Sequence, residues 1–134
     1  MSYFKSKITA FVLATIGLLV FKVETAFALR IDLDRPGPNE FVRDLAGMIS
    51  SAKEAEIKKL AEAVLKDKAT PILVVTISSM DAHGGGDLRI ETFARLLFDQ
   101  WGIGHKTLGK SEWNTGILLL VSEGDRKARI ELGA

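Results

Sequence analysis

Five acids offer the most chemistry in this sequence. Asp44, Asp81, Asp87, Glu123 and Asp125 carry hard carboxylate oxygens, and Arg126 follows Asp125 directly. Such oxygens suit calcium or magnesium rather than softer metals. Most of these acids also have a plainer use. Asp87 stands where a helix cap would, Asp125 sits in a turn sequence and Asp81 in a loop. Asp44 has no such reading, because it lies too early to cap the first helix.

Other patterns fail for lack of context. Gly104–Ser111 (GHKTLGKS) matches the phosphate-binding GxxxxGKS spacing in full. That chemistry needs a strand before it and a helix after it, so that backbone N–H groups cradle the phosphates. Here a helix pattern precedes and a strand pattern follows, so no nucleotide-binding residue is assigned. His83-Gly84-Gly85-Gly86 has the form of an esterase oxyanion loop, but the sequence contains no GxSxG nucleophile elbow. No catalytic residue is therefore assigned. Trp101 and Trp113 could stack a ligand, though Trp101 falls on an apolar helical stripe and reads as core.

Composition narrows the classes. The 134 residues are 47% hydrophobic and 26% charged, with 18 Lys+Arg against 17 Asp+Glu, which leaves no electrostatic case for a nucleic-acid partner. The absence of cysteine excludes disulfides, thiolate zinc sites and a cysteine nucleophile, and two histidines make a multi-histidine metal centre untenable. Residues 1–28 have the form of a secretory signal: Lys5 and Lys7, an uncharged run from Ile8 to Phe21, then Ala26-Phe27-Ala28 as a cleavage pattern. The expectation is a periplasmic or secreted protein, or one anchored in the membrane if this segment is not cleaved.

The elements that must position the acids follow from periodicity. Residues 29–40 read as an extended leader with no core of its own. Ser51 and Glu54 form a capping box before Ile57, Leu60, Ala61, Val64 and Leu65, which predicts a helix ending at Thr70-Pro71. Ile72–Ile77 (ILVVTI) and Gly116–Val121 (GILLLV) read as central strands. Between them lie a loop from Ser78 to Asp87 and a second helix with the stripe Ile90, Phe93, Ala94, Leu97, Phe98 and Trp101, ended by Gly102 and Gly104. Residues 105–114 read as a loop, and Lys127–Leu132 as an alternating strand after a turn at 123–126. The order helix, strand, helix, strand, strand predicts an α/β fold with a small mixed sheet. Its two central strands run parallel, and the last two form an antiparallel hairpin. The acid-bearing loops 44–50, 81–87 and 123–126 then converge on the carboxyl edge of the strands, where open α/β sheets bind ligands.

The sequence also resembles a known family. Arg43–Ser50 (RDLAGMIS) is similar to the opening motif of the TPM domain, found in a thylakoid-lumen phosphatase-like protein, a photosystem II repair protein and many exported bacterial proteins. The likeness continues through ILVVTI, Phe98–Gly104 (FDQWGIG), Asn114–Val121 (NTGILLLV) and Gly124–Gly133 (GDRKARIELG). It implies an α/β/α sandwich over about residues 41–134, export, and in some members a divalent-cation site of calcium type. By position it carries over Asp44 and Asp125 as metal ligands and Arg126 as a phosphate holder, while Asp81, Asp87 and Glu123 stay secondary metal candidates from their place on the same edge. Family domains continue past Gly133 into further helices, so the domain is expected to be partial, with GILLLV uncovered on one side. The functional expectation is an envelope module that binds calcium or an unidentified envelope protein. The alternative is a metal-dependent acid phosphatase.

Overall fold

The computed structural model describes residues 28–108 and 111–133. The signal-segment reading of residues 1–28 thus falls, Ala28 apart, outside the described residues. Among the described residues no helix is long and apolar enough to cross a membrane.

Among the described residues nine elements follow in order: β1 (Val42–Asp44), α1 (Ser51–Lys68), β2 (Ile72–Ile77), a 3-10 turn (Asp81–His83), α2 (Ile90–Trp101), β3 (His105–Leu108), β4 (Ser111–Asn114), β5 (Ile117–Ser122) and β6 (Lys127–Leu132). The main sheet has the order β1-β2-β5-β6. β1, β2 and β5 run parallel, with Asp44 opposite Thr76 and Thr76 opposite Val121. β5 and β6 pair antiparallel, from Ile117 with Leu132 to Ser122 with Lys127. The expected mixed sheet is present, and β1 adds a fourth strand that its three residues, two of them charged, do not announce. Residues 105–114 form a two-stranded antiparallel ribbon rather than a loop, with His105 paired to Asn114 and Trp113 to Lys106.

Strand alternation divides the packing into two layers. Val75, Ile77, Leu118 and Leu120 point into one cluster with Ile90, Phe93, Ala94, Leu97, Phe98 and Trp101 of α2, the stripe that periodicity predicts. Val74 and Thr76 point the other way, where α1 lies across β1 and β2. This second layer is thin. Of the five residues expected to be buried on α1 only Ala61 is, while Leu60 is 68% exposed. Ile117, Leu119 and Val121 are half-buried on that side, and Ile130 and Leu132 beside them are 57% and 61% exposed.

Helix boundaries shift for local reasons. α1 is capped by Ser50 rather than Ser51: Ser50 is extended (φ −69°, ψ 152°) and its hydroxyl accepts from the N–H of Lys53 at 3.4 Å. The helix closes at Ala69, in the left-handed region (φ 53°), because Pro71 keeps Thr70 out of helical backbone. Asp87 is not the cap of α2. It occupies a turn closed by Leu88 N–H to the Gly85 carbonyl, and the N-cap is Arg89, whose side chain makes no cap bond. The leader has a place in the core, since Ile31 is fully buried in the α2 cluster.

The uneven layers predict uneven mutational costs. Leu118→Ala should lower unfolding free energy by about 2–5 kcal/mol, as large-to-small changes in filled cores do. Leu60→Ala should change it by less than about 0.5 kcal/mol. Urea denaturation of both variants measures the difference.

Candidate functional site

The acids expected to work together sit on two separate clasps at the carboxyl edge of the sheet. Asp44 ends β1, and the strand register sets its carboxylate beside Thr76 of β2. The Thr76 hydroxyl donates to Asp44 Oδ1 and accepts from the Ala46 N–H at 3.1 Å. Met48 N–H donates to the same carboxylate oxygen at 2.9 Å, and Ile49 N–H to Oδ2 at 2.8 Å. One side chain thus folds residues 44–49 back over the strand end and delivers the chain to the cap at Ser50. Gly47, at φ 66°, supplies the left-handed residue that this loop needs.

The second clasp joins two loops. Asp125 Oδ2 accepts from the Ser122 hydroxyl at 2.6 Å and from the Met80 N–H at 2.7 Å. Glu123 N–H and Gly124 N–H bond the carbonyls of Ile77 and Ser78 at 3.0 and 2.8 Å. The β5–β6 turn is therefore stitched to the segment leaving β2. Arg126, exposed and at φ 55°, completes this turn.

Both carboxyls lie below the usual carboxylate range. For Asp44 the main cause is the Thr76 hydroxyl, with the N–H groups of Ile49, Met48 and Gly47 adding to it. For Asp125 it is the Ser122 hydroxyl, then the Met80 N–H, with the charge of Lys127 contributing.

The structure brings Asp125 and the 78–83 segment together but keeps Asp44 apart. Neighbouring strands lie about 4.8 Å apart, so β1 and β5, with β2 between them, stand roughly 10 Å apart. Thr76 and Ser122 also point to opposite faces, because Ser122 is in register with Ile77, the residue after Thr76. Asp81 starts the 3-10 turn, where Gly86 leaves no room for a Cβ against its carboxylate. Asp87 and Glu123 are exposed in their turns. Among the described residues no three His, Asp or Glu side chains come close enough to hold a metal ion together. Calcium takes six to eight oxygens. Two clasped carboxylates with few free oxygens do not build that cage.

Two residues missed by sequence reasoning carry the geometry. Among the described residues Thr76 and Ser122 are the buried polar ones, 2% and 0% exposed. Their signal is modest: one hydroxyl inside ILVVTI and one closing ILLLVS. His83 is no base. Its Nδ1 donates to the Asp32 carbonyl at 2.9 Å. Within the GxxxxGKS pattern, His105–Leu108 and Ser111 lie in the paired strands β3 and β4 and Gly104 in the turn before them, not in a phosphate-cradling loop before a helix.

Depressed carboxyl values give the clasps a signature in acid. Each contributes stability that is present above the ordinary carboxylate pKa of about 3.9 and lost as pH falls through the lower folded value. Thermal melts below about pH 5 should show the parent losing stability more steeply than Asp125→Asn, which has no carboxyl to protonate. Parallel slopes would mean that the Asp125 clasp does not form.

Comparison with known proteins places the chain. A family model described as TPM domain matches residues 42–134. The solution structure of the N-terminal domain of a protein from P. gingivalis is similar, with 32% identity and a TM-score of 0.57 over 71% of this chain and 54% of that one. The N-terminal domain of the cg2496 protein from Corynebacterium glutamicum shares the fold at 20% identity, with a TM-score of 0.56 over 80% of this chain and 62% of that one. The chain therefore spans less than two thirds of the length of either. No curated protein matches it. With the family model covering more than half its length, the chain belongs to the TPM-domain family.

Proposed function

We propose that this TPM-domain protein is an exported, non-catalytic interaction module of the bacterial envelope, whose motif acids shape the domain rather than turn over a substrate. The observation that carries the reading is the commitment of Asp44 and Asp125 to protein donors on separate clasps. A carboxylate that holds loop amides at this spacing is already used, and moving it onto a ligand would leave N–H groups without partners. Export rests on the charged, apolar and small-residue pattern of residues 1–28.

A second reading keeps a divalent cation of calcium type, and with it an acid phosphatase activity. One observation favours it: only Oδ2 of Asp125 accepts hydrogen bonds among the described residues, which leaves Oδ1 available beside the exposed Arg126. Asp125 would then be the primary ligand, Asp44 a distant second, and Arg126 the phosphate holder.

Titration calorimetry of the signal-free chain separates the two. The interaction module gives no heat with calcium, no difference between parent and Asp44→Ala, and no hydrolysis of an aryl phosphate with metal present. Crosslinking in the native envelope should capture a discrete partner, and Asp125→Asn should keep it. Calcium heat abolished by Asp125→Asn, or metal-dependent hydrolysis lost with Arg126→Ala, would replace this reading with the second.

A further inference from the structure

Residues 31–33 lie in irregular backbone outside both sheets, yet every main-chain polar group of the three is paired. Gln100 reads Ile31 from both sides: its Oε1 accepts from the Ile31 N–H at 3.0 Å, and its Nε2 donates to the Ile31 carbonyl at 2.9 Å. Asp32 N–H bonds the His83 carbonyl at 3.0 Å, and the His83 ring Nδ1 donates to the Asp32 carbonyl at 2.9 Å. Leu33 N–H turns back to the Ile31 carbonyl at 3.0 Å, and the Trp101 indole donates to the Leu33 carbonyl at 3.1 Å. The side chains divide the remaining work. Ile31 is fully buried among the α2 residues and Leu33 packs against the same cluster, while Asp32 faces solvent.

This is how a peptide is held, rather than how a strand is propagated. The contacts come from three side chains at the end of α2 and in the 81–83 turn, and they read backbone plus one deep aliphatic residue. The segment joins the rest of the described fold on one side only, through residues 34–41. We infer that the slot formed by His83, Gln100 and Trp101 is a recognition site for a short peptide of aliphatic–polar–aliphatic pattern, which the chain's own Ile31-Asp32-Leu33 fills in cis. A partner peptide with an aliphatic residue at the Ile31 position would make the same five hydrogen bonds to the slot and one within itself, and its middle side chain would stay in solvent. The tethered copy competes at millimolar effective concentration, so the slot opens to a partner when the strap is released or the partner binds more tightly. The inference rests on the interaction-module reading for the existence of a partner, and on none of the edge acids.

The test uses the full chain carrying Ile31→Asp, which puts a charge where the buried side chain sits and releases the strap. In its nitrogen-15 spectrum the Trp101 indole and Gln100 amide signals should move away from their parental positions. A six-residue peptide copying Leu29–Asp34 should return them at millimolar concentration. The same peptide with aspartate in place of isoleucine should not, nor should the copy act on a chain that also carries Gln100→Leu. Signals that ignore the peptide would overturn the inference. Should Ile31→Asp fail to fold, hydrogen exchange on the unaltered chain decides. The Ile31 and Asp32 amides should exchange at least about tenfold faster than those of Val75 and Leu118, because the strap opens without global unfolding. Equal rates would overturn the inference. Both readouts report on the slot alone, so their failure is separable from calcium binding or hydrolysis at the acidic edge.

Discussion

A carboxylate gripped by a hydroxyl is the interaction on which the carboxyl edge of this domain depends. It occurs twice, as Thr76 with Asp44 and as Ser122 with Asp125. In each pair the hydroxyl belongs to a residue at the end of a central strand, fixed by the ladder, and the acid belongs to the strand end or turn that must be positioned. The acid then passes that order outward to main-chain N–H groups: Met48 and Ile49 in one case, Met80 in the other. Ionised acceptors make the stronger class of hydrogen bond. Each carboxylate stays charged because its donors favour the charged form, and each loop stays folded because the carboxylate is charged.

The rest of the fold follows from this edge and from one well-filled layer. α2 buries six residues against Val75, Ile77, Leu118 and Leu120, and the strap adds Ile31 to the same cluster. α1 covers β1 and β2 on the far side but leaves Ile130 and Leu132 of β6 open. The domain is strong on one face and spare on the other. An interaction module can carry that asymmetry, whereas a site built on Asp44 would first have to release the N–H groups its carboxylate holds.

What could be read from the sequence depended on how local the determinant was. The α2 stripe from Ile90 to Trp101 was legible because its period is clean and Gly102 ends it in left-handed backbone. ILVVTI and ILLLV were legible as buried strands from their length and β-branched content. β1 was not, because Val42-Arg43-Asp44 becomes a strand only by pairing with β2. Leu60 and Leu65 have helical spacing, but burial depends on what lies opposite, and little does. Ile31 gave no signal, since the groups that hold it are contributed by residues as far as Gln100. Asp44 and Asp125 stood out as residues, while their use did not. For each acid one donor comes from far along the chain: Thr76, 32 residues from Asp44, and Met80, 45 residues from Asp125.

Hydrogen exchange at Met48, Ile49 and Met80, measured with and without calcium, tests most directly whether the motif acids are clasps. Clasps predict that these three amides are protected in the calcium-free protein and that saturating calcium leaves their rates unchanged. Amides that exchange freely without calcium and become protected on its addition would contradict it, because the carboxylates would then be metal ligands that order their loops only when loaded.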